Sequence, residues 1–163
     1  MKTTSYKLLF VLVVFLWSCG EEKKEEMKTT EVKAEVVEVK EKTIYEKLGG
    51  ANGVSVLVDD IVAEHLKNEH IKHYFEPLKK DEAYFNQFKN HVKAFLAAGT
   101  GGSEQYSGRD MASAHQGLNL SADDFMHAID DILIVLDRHN VDRASKNELL
   151  ATLYSMKDAV MNQ

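Results

Sequence analysis

The chain has 163 residues, of which 44% are hydrophobic, and its formal net charge is -6. This length fits one domain plus a targeting segment, and an acidic chain without a cluster of Lys and Arg is a poor candidate for binding nucleic acid. The single cysteine, Cys19, excludes an intramolecular disulfide and a Cys-rich zinc site.

The first 18 residues predict a lipoprotein signal peptide. Lys2 and Lys7 give a positive start, and residues 8–16 form an unbroken apolar run of nine. A membrane-spanning helix needs about 20 apolar residues, so this run predicts a cleaved export signal. The block Leu16-Trp17-Ser18-Cys19 resembles a bacterial lipobox, which implies that Cys19 is lipidated and becomes the mature N-terminus. The alternative is an ordinary signal peptide with an incidental cysteine.

Residues 19–42 are expected to be a lipidated, charged and flexible tether. Residues 21–42 contain eight Glu and six Lys, with neither an aromatic residue nor a glycine. Such a segment buries too little apolar surface to offset the entropy of ordering it. We therefore expect a folded domain over residues 43–163, held at the cell envelope through the lipid alone, on the periplasmic side or at the surface.

The domain is predicted to be all-α. Apolar residues recur at spacings of three and four, which is the helical period, and no segment shows sustained strand-like alternation. Ser121 followed by Asp123 and Asp124 predicts the capped start of a helix. The expected helices cover residues 53–66, 81–98, 111–116, 122–139 and 142–160.

The histidines divide into two groups. Most of the seven fall on polar faces or at helix ends, where a solvated or capping histidine is common. We assign this ordinary role to His65, His70, His127 and His139.

His91 and His115 instead border apolar stripes. His91 follows Phe88 by three residues, and His115 follows Met111 by four. A histidine on an apolar face is most often a satisfied core residue. Two of them on separate helices would also suit a flat, apolar cofactor whose metal takes axial nitrogen ligands, and would suit zinc poorly because thiolates are absent.

Five motifs in register resemble group I truncated haemoglobins. They span about residues 43–160, in the order of that family and nearly at its spacing. The motifs are Ile44-Tyr45-Glu46-Lys47-Leu48-Gly49-Gly50, then Ile71-Lys72-His73 with Phe75, Lys93-Ala94-Phe95-Leu96 running to Gly101-Gly102, Tyr106-Ser107-Gly108-Arg109-Asp110-Met111, and Ala114-His115-Gln116-Gly117-Leu118.

The resemblance implies a two-on-two helical sandwich around one non-covalent haem b. Covalent c-type attachment is excluded because it needs two cysteines. His115 matches the proximal iron ligand, and Arg109 or a nearby lysine is a candidate partner for a haem propionate. The remaining cofactor-binding residues that the resemblance implies are Phe75, Phe88, His91, Val92 and Phe95 on the distal side and Met111 and Leu118 on the proximal side.

The distal side departs from the family pattern. Many members carry a tyrosine at the place of Val62, whose hydroxyl hydrogen-bonds to bound oxygen, and glutamines at the places of Phe88 and Val92. His91 is then the one polar group left there, and in some relatives a histidine at this place binds the iron. We therefore expect a six-coordinate resting haem with His115 and His91 as axial ligands, against a five-coordinate alternative in which His91 swings outward.

The expected function is reversible binding of oxygen, nitric oxide or carbon monoxide outside the cytoplasm, with nitric oxide detoxification as a further activity. Enzymatic turnover would need a reductant that the sequence does not identify. Two rival hypotheses stay open. One is a bis-histidine haem protein for electron transfer or peroxide chemistry, and the other is a haem-free helical module that binds an envelope partner.

Overall fold

The computed structural model describes residues 40–161 and 163, and across this part of the chain every regular element is a helix. The all-α prediction is therefore confirmed. The predicted signal peptide, Cys19 and nearly all of the tether lie outside the described residues. The elements are α1 (Ile44–Lys47), α2 (Gly50–His65), α3 (Lys72–Phe75), a 3-10 helix (Glu76–Lys80), α4 (Glu82–Gly99), α5 (Met111–His115), α6 (Ala122–Arg138), α7 (Arg143–Ser155) and α8 (Lys157–Val160).

Helix α2 forms the centre of the domain and packs against both α4 and α6. Toward α6 and α7, Leu57 and Ile61 form one buried cluster with Val135, Leu136 and Leu149. Toward α4, α2 contributes to a second cluster, made of Val54, Val58, Val62 and Ala97. Burying each such aliphatic side chain stabilises the fold by about 1.5–3 kcal/mol. Two helix pairs, α2 with α4 and α6 with α7, thus form the predicted two-on-two sandwich.

The start of α2 was predicted three residues too late. The helix begins at Gly50, directly after Gly49, and both glycines have positive φ values of 64° and 93°. The backbone of Leu48 lies against the first turn of α2, since a Cβ on Gly53 would lie 1.8 Å from the carbonyl oxygen of Leu48. These glycines permit a tight turn from α1 into α2 that residues with side chains would resist.

Two other helices, α4 and α6, begin directly after a capping residue. Asp81 accepts a hydrogen bond from the backbone of Tyr84 over 3.0 Å at the start of α4. At the start of α6, Ser121 and Asp124 form a reciprocal capping box. Both helices begin within one residue of the predicted position.

The last helix was predicted as continuous over residues 142–160, and this is wrong. It is interrupted at Met156, which has φ -98° and ψ 0°, so that α7 and α8 are separate. The break lets α8 pack against α5, and Gly117 beyond α5 donates its backbone N–H to the carbonyl of Gln163 over 3.0 Å. Neither a glycine nor a proline in the sequence marks this break. Among the described residues, no helix is long and apolar enough to cross a membrane.

Candidate functional site

His115 ends α5 with a defined tautomer. Asp110 starts this short helix by accepting the backbone N–H of Ser113 over 2.9 Å. One turn later, Nδ1 of His115 lies 2.7 Å from the carbonyl oxygen of Met111. A carbonyl can only accept, so Nδ1 carries the hydrogen and Nε2 presents its lone pair. This is how a metal-ligating histidine is usually oriented.

Apolar side chains accompany His115. Met111 is half-buried, and Leu118 keeps 39% of its surface exposed. Leu118 follows His115 through a turn in which its backbone N–H donates to the carbonyl of His115 over 3.1 Å. His115 is therefore flanked in the chain by apolar side chains that the protein itself does not fully cover, as a large apolar cofactor requires.

An aromatic wall connects α3 with α4. The rings of Phe75 and Phe88 are tilted against each other with centroids 6.2 Å apart, and Phe85 lies 6.3 Å from Phe88. Phe88 and Val92 are partly buried and pack against the cluster that contains Val62, which is only 3% exposed. The structure thus brings Val62, Phe88 and Val92 together, and none of these three side chains can donate a hydrogen bond.

His91 lies on α4 between Phe88 and Phe95 in sequence, and it is exposed. Its side chain makes no hydrogen bond or ion pair with another described residue. Phe95 is half-buried and meets Tyr106 edge-on, with centroids 5.2 Å apart. Because the hydroxyl of Tyr106 donates to the carbonyl of Arg109 over 2.6 Å, this contact ties the loop that enters α5 to α4.

The basic residues near these helices have protein partners. Arg109 donates from Nη1 to the carbonyl of Ser113 over 3.0 Å and remains exposed. Lys89 and Lys93 lie 3.1 and 2.8 Å from the carboxylate of Asp59. Partial burial acts to raise the pKa of Asp59, but the hydrogen bonds from Lys93 and Lys89 hold it below its ordinary value. Arg109 therefore stays a candidate for a propionate, whereas these two lysines already share a carboxylate.

His65 was predicted to be a solvated or capping residue, and this is wrong. It is only 6% exposed, and its Nδ1 donates to Asp131 Oδ2 over 2.9 Å. Burial lowers the pKa of His65, although the hydrogen bond to Asp131 opposes this effect. The spacing could have found it, because His65 follows Ile61 by four residues and Val62 by three, on the same buried face of α2.

Of the other histidines, His139 follows the last turn of α6 and donates from Nε2 to Asp60 Oδ2 over 2.7 Å. His70 is exposed, and His127 is half-buried on α6. Their two rings stack with centroids 3.9 Å apart, a pairing that no sequence spacing indicates.

A two-on-two helical sandwich that carries an apolar aromatic wall and a histidine presenting Nε2 has the features of the globin class, and these residue types fit a haem. Comparison with protein families agrees with this assignment. The profile of bacterial-like globins matches residues 43–162, and the chain belongs to that family.

Curated relatives support the assignment. The chain is 32% identical over 127 residues to a group 1 truncated hemoglobin of a Synechocystis species, covering 74% of this chain and 98% of that protein. It is 35% identical over 109 residues to a group 1 truncated hemoglobin of Tetrahymena pyriformis, covering 67% of this chain and 86% of the relative.

Solved structures show the same fold. The truncated hemoglobin of Tetrahymena pyriformis in its Fe(III) form matches with a TM-score of 0.67 and 30% identity, over 75% of this chain and 100% of that one. The 2/2 hemoglobin of a Synechococcus species, solved in the cyanomet state with covalently attached heme, matches with a TM-score of 0.65 and 27% identity, at the same coverage. The predicted fold class is confirmed.

Proposed function

We propose that this chain is a haem-binding globin that reversibly binds a diatomic gas, with His115 as the proximal ligand. The observation that carries the proposal is the 2.7 Å hydrogen bond from His115 Nδ1 to Met111. It holds the ring in one tautomer with Nε2 available, on the helix that the family uses for its iron ligand. When bound, the haem would supply an iron able to coordinate oxygen, nitric oxide or carbon monoxide.

The side chains around that position serve to exclude water and to set ligand affinity. Phe75 and Phe88 form an apolar wall, and Val62 and Val92 pack with Phe88. Since these residues offer no donor, they stabilise a polar ligand such as oxygen less than the usual tyrosine and glutamines do. A donor to a charged acceptor is worth about 1.5–3 kcal/mol, or roughly 10- to 100-fold in affinity.

The haem is proposed to be b-type and non-covalent. The only cysteine, Cys19, precedes the domain, so thioether bonds to the cofactor are excluded. Extraction of the haem by acidified organic solvent should leave a colourless polypeptide. Haem that stays with the polypeptide would indicate a covalent bond, as in the Synechococcus relative, and would contradict this part of the proposal.

Absorption spectra test the main proposal. The chain supplied with haem should take up one equivalent and show a sharp Soret band, which His115→Ala should abolish or strongly weaken. His73→Ala is the control, because His73 is exposed to solvent and lies outside the wall and α5. The absence of stoichiometric uptake by the unaltered chain would overturn the globin function and favour the haem-free interaction module.

His91 is proposed as the sixth ligand of the resting haem. Its side chain has no competing partner among the described residues, and it lies on α4 beside Phe88 and Val92. The expected ferric spectrum is low-spin and becomes high-spin in His91→Ala. A high-spin spectrum that is the same in both proteins would contradict bis-histidine ligation, and with it the alternative role in electron transfer or peroxide chemistry.

Export to the envelope is proposed from residues 1–42. The positive start, the apolar run and the Cys19 block support a lipidated protein outside the cytoplasm. Labelling with radioactive palmitate should modify the unaltered chain and not the variant Cys19→Ser.

Nitric oxide detoxification at the envelope depends on an external reductant, because conversion of nitric oxide to nitrate leaves the iron oxidised. Turnover that ceases after one equivalent without added reductant is the expected result.

A further inference from the structure

Three metal-ligating side chains converge at the start of α6, and none of them is among the proposed haem-binding residues. His70 lies in the turn between α2 and α3, while Asp123 and His127 lie one turn apart on α6. One ligand atom from each residue lies within 4.8 Å of the other two. The cluster therefore joins two segments that are distant in sequence. It differs in this from a pair of neighbouring residues on a single helix.

The distances suit a shared ion better than direct hydrogen bonds. His70 Nδ1 and His127 Nε2 lie 3.9 and 3.8 Å from the same atom, Asp123 Oδ2. Both separations are too long for hydrogen bonds. Ligands bonded at about 2.0–2.1 Å to a tetrahedral ion lie roughly 3.4 Å apart, so each nitrogen must move about half an ångström closer to Asp123. The stacked rings of His70 and His127 must also turn so that both nitrogens face the ion.

Hydrogen bonds on both sides hold the segment of His70 against α6. Asn68 donates from Nδ2 to Asp131 Oδ1 over 2.9 Å, and its own Oδ1 accepts the backbone N–H of His70 over 3.1 Å. On the other side, the hydroxyl of Tyr74 donates to Asp124 Oδ2 over 3.2 Å. Because both bridges cross to α6, the ligands are brought together before any ion binds, which lowers the ordering cost of binding.

The chemistry of the donors selects the class of metal. Two imidazoles and one carboxylate favour zinc, copper or nickel over magnesium and calcium, which prefer all-oxygen sites. The carboxylates of Asp123 and Asp124 also offset the partial positive charge at the N-terminus of α6. Solvent reaches the cluster, as the side chains of His70 and Asp123 are 60% and 75% exposed, so water can complete the coordination.

We propose that His70, Asp123 and His127 form a surface site for a divalent transition metal of the zinc class, separate from the proposed haem site. A metal held there clamps the turn before α3 onto α6. Since α3 ends at Phe75, the clamp acts on the segment that positions the aromatic wall.

Zinc titration of the full chain, loaded with haem so that His115 is engaged, tests the site by calorimetry. One equivalent should bind, and His70→Ala, His127→Ala and Asp123→Asn should each weaken binding at least tenfold, since losing even an outer-shell partner costs about 10- to 100-fold. His73→Ala is the matched control and should bind zinc as the unaltered chain does, because His73 is a nearby exposed histidine outside the cluster.

Thermal unfolding gives a second readout that does not depend on haem. Zinc should raise the Tm of the unaltered chain and of His73→Ala, because a ligand that binds only the folded state stabilises it. The rise should vanish in the double variant His70→Ala, His127→Ala. Equal zinc affinity in this double variant and the unaltered chain, or no saturable zinc uptake by the unaltered chain, would overturn the proposal.

Discussion

His65 on α2 and Asp131 on α6 are joined by a buried hydrogen bond of 2.9 Å between Nδ1 and Oδ2. The other carboxylate oxygen of Asp131 accepts from Asn68, and the ring of His65 stacks on Phe75 with centroids 4.9 Å apart and an interplanar angle of 22°. Asp131 thereby fixes the plane of His65, and His65 supports Phe75 from the side of α2. The position of the aromatic wall depends on this chain of contacts.

Replacing Asp131 should destabilise the fold. In Asp131→Ala the Nδ1–H of His65 loses its buried acceptor, and the amide of Asn68 loses its partner as well. A buried donor without an acceptor costs about 1–3 kcal/mol, and we expect a loss of this size in the free energy of unfolding measured with urea. Asp130→Ala, at the exposed neighbouring position, should stay within about 0.5 kcal/mol of the unaltered chain. Equal losses in the two variants would contradict the role of Asp131.

Stability should depend on pH through His65. Burial lowers its pKa in the folded state, against the hydrogen bond to Asp131, whereas the unfolded value is about 6.5. Between the lowered pKa and about pH 6.5, the unfolded chain binds more protons than the folded chain. The free energy of unfolding therefore increases as the pH rises through this window and decreases as the pH falls through it.

The variant His65→Asn tests this dependence. An asparagine amide can replace Nδ1 as donor to Asp131 but does not titrate. The slope of unfolding free energy against pH just below pH 6.5 should therefore be shallower in the variant. The same slope in both proteins would show that His65 does not control it.

Restoring a donor on α2 should raise oxygen affinity. Val62 is buried in the cluster against which Phe88 and Val92 pack, and Val62→Tyr places a hydroxyl there. The expected gain is roughly 10- to 100-fold, measured as oxygen dissociation rate and equilibrium affinity of the haem-loaded chain. Val62→Phe is the control, because it adds the ring and its crowding without the donor. A comparable gain in both variants would attribute the effect to size.

Removing the cap of α6 should weaken the whole domain modestly. Ser121 Oγ accepts the backbone N–H of Asp124 over 3.1 Å, and Ser121→Ala should lower the free energy of unfolding by about 1 kcal/mol. Ser107→Ala, an exposed loop serine, is the comparison and should have little effect. Chemical unfolding of the two variants side by side gives the difference. No difference between them would mean that the cap contributes little.

The sequence was sufficient wherever local chemistry decides the structure. The apolar period of α2, α4 and α6 and the cap at Ser121 predicted the all-α class and the positions of the long helices. The five motifs also predicted the family, since they depend on residue identity alone. His115 could be singled out by spacing and motif together, but its tautomer became visible only with the 2.7 Å contact to Met111.

The tertiary structure decided what depends on contacts between distant segments. The burial of His65 requires Asp131, which lies 66 residues further along the chain, and the stacking of His70 on His127 requires the turn before α3 to meet α6. The break at Met156 accompanies the packing of α8 against α5, a segment about 40 residues earlier in the chain. Helix periodicity and caps act within one or two turns, so the sequence alone determines them. Burial, hydrogen-bond partners and ligand clusters form only when separate helices pack, and no local pattern contains that information.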